Sequence, residues 1–430
     1  PMNCSAPSTV IPASATRPFA ERTPTMTLAV QTFLQEHSPN ALFAQHGVKV
    51  IPTKDDQGNV VLSLNYDQLA SKTTDPVSRE CRGTVLRPIT PTTTYDPTAH
   101  VGETLILARP MRRFMNLGEG LPEDQIDLTD PNAVYETKED GTLCFVYFDP
   151  EDNRWHVGTR NMARGHGRSG GLTNMSFREL FEHTTGQPMD VFASRFNNRY
   201  TYSFELTTPF NEVGVAQETA RVTLLAVRNN TDGTEHDSHV VASALDLRSP
   251  RLHRHGSVSE LLAWVHAQPA KSFEGLVAKV YDRGTQTFRR VKIKNRNYVA
   301  AAHSKGDTVQ SPRSILTLIL GNQWDDVAPT LNPMVRAVGD SIQDKVQELC
   351  STYDQLYTQH VEHLPPTADR KTVATAIHTN GIPVSFGFAR RENPSLSYSD
   401  FLRSLSQPSP TNPTGWKDSV LNSVLKSIGM

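Results

Sequence analysis

From about Val60 to Ala302 apolar and polar residues alternate in short runs broken by turn residues; beyond residue 310 the apolar residues recur every three or four. That change of period constrains the fold more than any other feature. Side chains alternate faces along a strand and return to one face about every 3.6 residues along a helix. Val60-Val61-Leu62-Ser63-Leu64-Asn65-Tyr66 reads as a strand. Helices are predicted from Leu28 to Ala44, Ser176 to His183 and Ser257 to Ala267. In the second texture Asn332-Pro333 reads as an N-cap with proline at the first helical position. Val335, Val338, Ile342, Val346, Leu349, Tyr353 and Leu356 then form one apolar face of a long helix, ended by Pro365-Pro366. Pro394 to Pro413 holds only a short helical piece, and a last helix carries Trp416, Val420, Leu421, Val424, Leu425 and Ile428. The fold class is therefore α+β: an antiparallel β-rich unit over residues 26–308, then an all-α unit over 309–430. Residues 1–25, rich in Pro, Ser, Thr and Ala, read as a disordered tail without the apolar stretch of a secretory signal.

Composition narrows the setting. No run is long and apolar enough to span a bilayer. The net charge of −2 excludes a uniformly basic nucleic-acid binder, so any such function needs locally arranged charge. Cys4, Cys81, Cys144 and Cys350 are scattered without a Cys-x-x-Cys pair, which argues against disulfides and a cysteine zinc site and favours a reducing, cytoplasmic setting.

The chemistry gathers around Lys138, in Lys138-Glu139-Asp140-Gly141-Thr142 ahead of the apolar run Leu143 to Phe148. A lysine at a strand edge can attack the α-phosphate of a nucleoside triphosphate and carry the nucleotide as a phosphoramidate. The amine must then be neutral, although a free lysine titrates near about 10.4, so nearby cations or a divalent metal must lower it. Cations must face the charge developing on the phosphate, and carboxylates must hold the metal. The chain supplies each kind of group. Lys292 and Lys294, two apart on one strand, share a face. Glu205 and Glu274 sit at or beside apolar strands, where an acid is costly unless it binds a metal, a hydroxyl or a cation. Arg82 precedes another strand, and Arg109-Pro110-Met111-Arg112-Arg113 adds three arginines.

Taken in order, Glu80-Cys81-Arg82-Gly83, Arg109-Pro110-Met111 with Phe114 and Asn116, the Lys138 segment, Phe204-Glu205, Glu274-Gly275 with Val277-Ala278, and Lys292-Ile293-Lys294 with Tyr298 resemble the phage-type RNA ligase 1 family over about residues 60–302. The resemblance implies a nucleotidyltransferase (adenylation) domain over 26–308 and a C-terminal RNA-specificity domain over 309–430. It implies an ATP-dependent RNA ligase that uses Mg²⁺, with Mn²⁺ as an alternative. AMP would pass from Lys138 to an RNA 5′-phosphate, and a 3′-hydroxyl would then seal the joint. On this resemblance Lys138 is the nucleophile and Lys292 and Lys294 neutralise the α-phosphate. Arg82 and Arg113 orient the phosphates, Glu205 contacts ribose or metal-bound water, and Glu274 holds the metal. Asp140 and Gly141 shape the turn, and adenine lies by Glu136 and Thr137. The implied partner is nicked tRNA, with a separate kinase or phosphatase healing its ends, in the cytoplasm (of a host, for a viral protein).

The chain departs from the family in carrying Arg113 where lysine is usual, Thr142 for serine and Asn297 for an aromatic residue. Arg160 aligns loosely with a family lysine. Plainer readings stand beside these. A lone Lys-x-Asp-Gly-Thr is a surface turn, Lys292 and Lys294 a solvated edge, Glu205 an ion-pair partner, Arg112 a surface residue, and Cys81 and Cys144 core fillers. Gly165-His166-Gly167-Arg168-Ser169-Gly170 spells a dinucleotide-binding pattern, but the alternating strand before it favours a basic loop with Arg160, Arg164 and Arg168 on RNA phosphates. His253 and His255 read as exposed loop residues. Two functional alternatives remain open: another covalent nucleotidyltransferase (a DNA-end ligase or a guanylyltransferase), or a catalytically silent RNA-binding protein.

Overall fold

The computed structural model describes residues 27–167, 175–208, 219–269, 273–295, 312–328, 333–406 and 416–430. The tail at 1–25, Arg168, Asn297, Tyr298, Asn332 and the boundary at 308/309 lie outside them.

Helices α1 (Ala29–Glu36) and α2 (Pro39–His46) open the described chain. One helix was expected there. The chain breaks at Ser38-Pro39 because Ser38 caps a new helix, accepting from the Ala41 N–H at 3.2 Å, and proline fits its first turn. The first sheet has the antiparallel order β1 (Val48–Lys54), β2 (Val60–Tyr66), β3 (Arg82–Pro88) and β4 (Thr104–Ala108), with α3 (Pro76–Glu80) leading into β3. Two further sheets face each other. Their strands are β5 (Met115–Asn116), β6 (Val134–Thr137), β7 (Thr142–Asp149), β8 (Arg154–Thr159), β9 (Tyr200–Thr207), β10 (Arg221–Asn229), β11 (Glu235–His236), β12 (Leu252–His253), β13 (Gly275–Asp282) and β14 (Thr287–Lys294). The second sheet runs β11-β10-β9-β7-β8 and the third β12-β6-β13-β14-β5. Pairing is antiparallel except between β14 and β5.

The second sheet explains the unbroken apolar run after Lys138. On β7, Cys144 and Val146 face a core with Leu180 and Phe181 of α4 (Phe177–Thr185), while Phe145 and Tyr147 face Val61, Val85 and Ala108 of the first sheet. A strand buried on both faces has no polar side to show. Helices α5 (Met189–Phe192) and α6 (Ser238–Leu245) complete that layer. The third sheet is two-faced. Leu276, Ala278, Val291 and Ile293 pack on Leu261 and Val265 of α7 (Val258–Ala267). Alternation turns Val277, Lys279, Arg290, Lys292 and Lys294 the other way, toward the second sheet. That inner face builds the site.

The helical residues form α8 (Pro312–Leu320), α9 (Trp324–Val327), α10 (Pro333–His360), α11 (Arg370–Thr379), α12 (Val384–Glu392), α13 (Tyr398–Ser404) and α14 (Asp418–Ser427) around one core. On α10 the buried stripe is Ile342, Val346, Cys350 and Tyr357, continued by Val361 just past its end, whereas Val338, expected on it, is 45% exposed. Helices α11 and α12 were not anticipated; Asp369 caps the first, and Val373 and Ile377, four apart, bury its face. Ionic contacts dock the helices on the first sheet: Arg403 to Asp67 at 2.9 Å and Lys49 to Asp400 at 2.6 Å. Asn116 of β5 donates to the Asp325 carbonyl at 3.2 Å, so a helical segment also touches the third sheet beside Lys292. No helix among the described residues is long and apolar enough to cross a membrane.

Candidate active site

Lys138 follows the last residue of β6, and its N–H continues the ladder by donating to the Gly275 carbonyl at 2.9 Å. Its amine donates to Glu274 Oε2 at 2.5 Å, and Lys294 Nζ lies 3.9 Å from the other oxygen of that carboxylate. Gly275 makes this convergence possible. At φ +150° any Cβ there would fall 2.2 Å from the Ile293 carbonyl oxygen, so only glycine lets β13 and β14 close beside Glu274. From the second sheet, Glu205 on β9 accepts from the Gly141 N–H at 3.1 Å, which pins the turn after the lysine against that strand. Two carboxylates from opposing sheets thus flank one amine.

Their mutual influence fixes the protonation states. Burial and the nearby Glu274 raise the Glu205 carboxyl to about 7, although Lys138 and Arg82 oppose the shift. Burial pulls the Lys138 amine down, but Glu274 and Glu205 outweigh it and hold the amine above its ordinary range. Nucleophilic attack needs a lowered amine, but here the lysine is an ammonium ion held by acids. The lysine that is lowered is Lys292, to about 8, by burial and by Lys294, Arg82 and Lys138.

A second group of charges surrounds Tyr66, at the end of β2. Arg113 stacks over its ring at 4.1 Å and donates to Ser71 Oγ at 2.9 Å. Phe114 carries Arg82 and Lys292 over its ring, each 5.3 Å from the centroid. Burial raises the Tyr66 phenol, but Arg113, Arg160, Arg82 and Lys292 together bring it down to about 8. None of these four cations makes an ion pair with a described residue, and one buried Arg82 nitrogen has no hydrogen-bond partner there. Four buried or half-buried cations without an ion pair to a described residue are suited to a polyanion. Sequence reasoning missed Tyr66, because an aromatic residue closing an apolar strand looks like core.

The sequence pattern of the RNA ligase family matches residues 80–298, the span that carries all of these groups except Tyr66 and Ser71. The chain belongs to that family, the phage-type RNA ligase 1 family. A Thermovibrio ammonificans protein provisionally named an RNA ligase is 24% identical over 320 residues, 72% of this chain and 74% of its own. Among solved structures, an archaeal ATP-dependent RNA ligase aligns over 85% of this chain and 77% of its own, at 14% identity and a TM-score of 0.41. A mutant Naegleria gruberi RNA ligase solved with AMP and Mn aligns over 60% of this chain and 97% of its own, at 10% identity and a TM-score of 0.31.

Not every residue expected in this RNA ligase's site reaches the cluster. The Glu136 side chain ion-pairs with Lys279 and shares a hydrogen bond with His239 Nε2 at 2.7 Å, a buried network that holds its carboxyl below the usual range against burial. Thr137 points to the opposite face and bonds His253 Nε2 at 2.8 Å, so His253 is half-buried and partnered, not a free loop residue. Arg160, only loosely aligned by sequence, does reach the Tyr66 group. Arg164 does not face outward: it is buried against Asp149 at 2.6 Å and Asp152 at 2.8 Å. The strand before the Gly165-His166-Gly167 loop is antiparallel, unlike a dinucleotide-binding unit. Glu80 of the Glu-Cys-Arg-Gly segment takes Arg228, Arg112 and Arg109, which bring its carboxyl down to about 2 despite burial. Cys81 and Cys144 are buried core fillers.

Glu205 and Glu274 fit a divalent cation by donor chemistry: two hard carboxylates on opposite walls, one of them raised to about 7 by burial. The described residues offer one other group, Asp149, Asp152 and His156, but Arg87 and Arg164 already occupy its carboxylates.

Proposed function

We propose that this RNA ligase is ATP-dependent and joins 5′-phosphate to 3′-hydroxyl ends through an adenylylated Lys138. The observation that carries the reading is the Lys138 amine set between Glu274 and Glu205, beside unpaired cations suited to a triphosphate. In the first step the neutral amine attacks the α-phosphorus; a P–N bond forms, the α–β P–O bond breaks, and pyrophosphate leaves. In the second, a 5′-phosphate oxygen of RNA attacks the same phosphorus; a P–O bond forms, the P–N bond breaks, and the lysine nitrogen takes up a proton as it leaves. In the third, a 3′-hydroxyl oxygen attacks the RNA 5′-phosphorus and AMP departs.

The residues have distinct tasks in this scheme. Lys292 and Lys294 face the charge that grows on the α-phosphate. Arg82, Arg113, Arg160 and the Tyr66 hydroxyl hold the β- and γ-phosphates and so align the leaving group. Gly141 and Asp140 keep the lysine turn against Glu205. A divalent cation, Mg²⁺ or Mn²⁺, bound by Glu205 and Glu274 would supply positive charge that lowers the affinity of the amine for its proton. We read residues 26–308 as the adenylation domain and 309–430 as the part that selects the RNA. A nicked tRNA with ends healed by a separate kinase or phosphatase, in the cytoplasm, is the substrate that the family resemblance supports.

The test is incubation with α-labelled ATP and Mg²⁺, beside Lys138→Ala, followed by denaturation. Label on the wild type and none on the variant is expected. GTP in place of ATP, and DNA in place of RNA ends, separates a guanylyltransferase and a DNA ligase. An unlabelled wild type, with pre-adenylylated protein excluded by mass, overturns the reading in favour of an RNA-binding protein.

A further inference from the structure

The Lys138 strand has a second side. Lys138 reaches into the cleft, but Thr137 points outward into a separate pocket of about 280 Å³, edged by Glu139. The wall of this pocket is aromatic. Trp264 of α7 stands edge-on to Phe273, with centroids 5.2 Å apart, and tilts against His253 at 4.7 Å. The bond from Thr137 fixes the His253 ring. The rim is cationic, with Arg221, Arg248 and Arg251. Among the described residues of the lining Glu139 is the one carboxylate; it pairs with Arg221 at 3.2 Å and lies 4.0 Å from Arg248. Arg251 is exposed and has no ion pair with a described residue.

Half-buried rings beside three guanidinium groups with the Glu139 carboxylate among them suit a nucleotide, with the base on the rings and the phosphate on the rim. The site is not a second view of the triphosphate cleft. Thr137, His253 and Trp264 line it from the face of the third sheet turned away from Lys292, and Arg221 of β10 and Arg248 close it from the edge of the second sheet. Yet it is one residue from the chemistry at two points, because Thr137 precedes Lys138 and Phe273 precedes Glu274. We propose that this pocket seats one nucleotide of the single-stranded RNA next to the joint, its base against Trp264 and its phosphate on Arg248 and Arg251. The proposal rests on RNA being the substrate. It adds a group that reads the strand and leaves the nucleotidyl-transfer residues untouched.

The experiment uses the full chain and two oligoribonucleotides: one 5′-phosphorylated with a blocked 3′ end, the other with a 5′-hydroxyl and a free 3′-hydroxyl. Each is made intact and with an abasic terminal residue. Binding is read by fluorescence anisotropy across a salt series, and Lys138 labelling by ATP is read without RNA. The arginine double variant Arg248→Gln/Arg251→Gln should keep full labelling, weaken RNA binding and lower the salt slope by roughly one for each phosphate it no longer neutralises. Wild-type protein should bind one of the two abasic strands about 5- to 100-fold more weakly than its intact form, and Trp264→Leu should abolish that difference. The strand that shows the penalty is the one seated here. Unchanged affinity and slope in the arginine variant, or an abasic penalty that survives in Trp264→Leu, overturns the proposal. Loss of labelling in the wild type would instead count against the ligase reading.

Discussion

The two ends of β7 hold cations in opposite ways. At the Asp149 end, Arg87 pairs with Asp149 and with Asp55 at 2.7 Å, Arg164 pairs with Asp149 and Asp152, and His156 meets Asp152 at 2.9 Å. Burial and the neighbouring Arg164 pull His156 down to about 3, so the imidazole stays neutral and both arginines have carboxylate partners. Near the Thr142 end, Arg82, Arg113, Arg160 and Lys292 crowd Tyr66 without an acid to pair them. Strand β3 serves both ends: it carries Arg82 to one and Arg87 to the other, five residues or roughly 17 Å along the strand. Similar residues on the same strands are therefore structural where they are matched and, in the proposed function, ligand-binding where they are left unmatched. A buried cation without a partner lowers stability, and a fold keeps it where a ligand supplies the missing charge.

Breaking the matched end should have the largest effect. Asp149→Asn leaves Arg87 and Arg164 buried beside a neutral amide, and denaturant unfolding should show a loss of about 3–5 kcal/mol. Adenylylation below the unfolding temperature should change little, because no group of the site touches Asp149. At the unmatched end the outcome should reverse. Lys292→Met should reduce adenylylation by roughly 10²–10³-fold. It should also raise the thermal midpoint, because an unpaired cation depressed to about 8 has been removed. A variant that loses both activity and stability would put Lys292 among the structural charges and dissolve the contrast.

The smallest effect concerns pH. The Glu205 carboxyl is raised from 4.5 to about 7 in the folded protein. Between those values the native state keeps a proton that the unfolded chain has released, so stability should fall as pH rises through this window. Thermal midpoints measured from pH 4.5 to 7 should show that slope, and Glu205→Gln should flatten it. A slope unchanged in the variant would assign it to another group.

Much of this was readable before folding. The change of period separated the strand-rich residues from the helical ones, since both patterns are local. Lys138, Glu205, Glu274, Lys294, Lys292 and Arg82 announced themselves as charged residues in or beside apolar strands, and the fold brings them together. What stayed hidden depends on long-range geometry. Tyr66 acquires its meaning only when residues from positions 82, 113, 160 and 292 arrive around it. Arg164 and Glu136 looked available because their partners, Asp149 and Lys279, are ordinary residues of strands whose pairing the sequence does not show. The Ser38 break in the first helix was local and legible, and capping chemistry outweighed the apolar spacing that ran across it.

The bond between Lys138 and Glu274 has a consequence for how the protein keeps. An alkylammonium ion has no lone pair, so while Glu274 holds it the most important amine of the chain is inert toward aldehydes, acylating agents and carbamylation, reactions that consume neutral amines. In the proposed scheme the same bond must open for turnover, and until it does it acts as a chemical safety catch that shields Lys138.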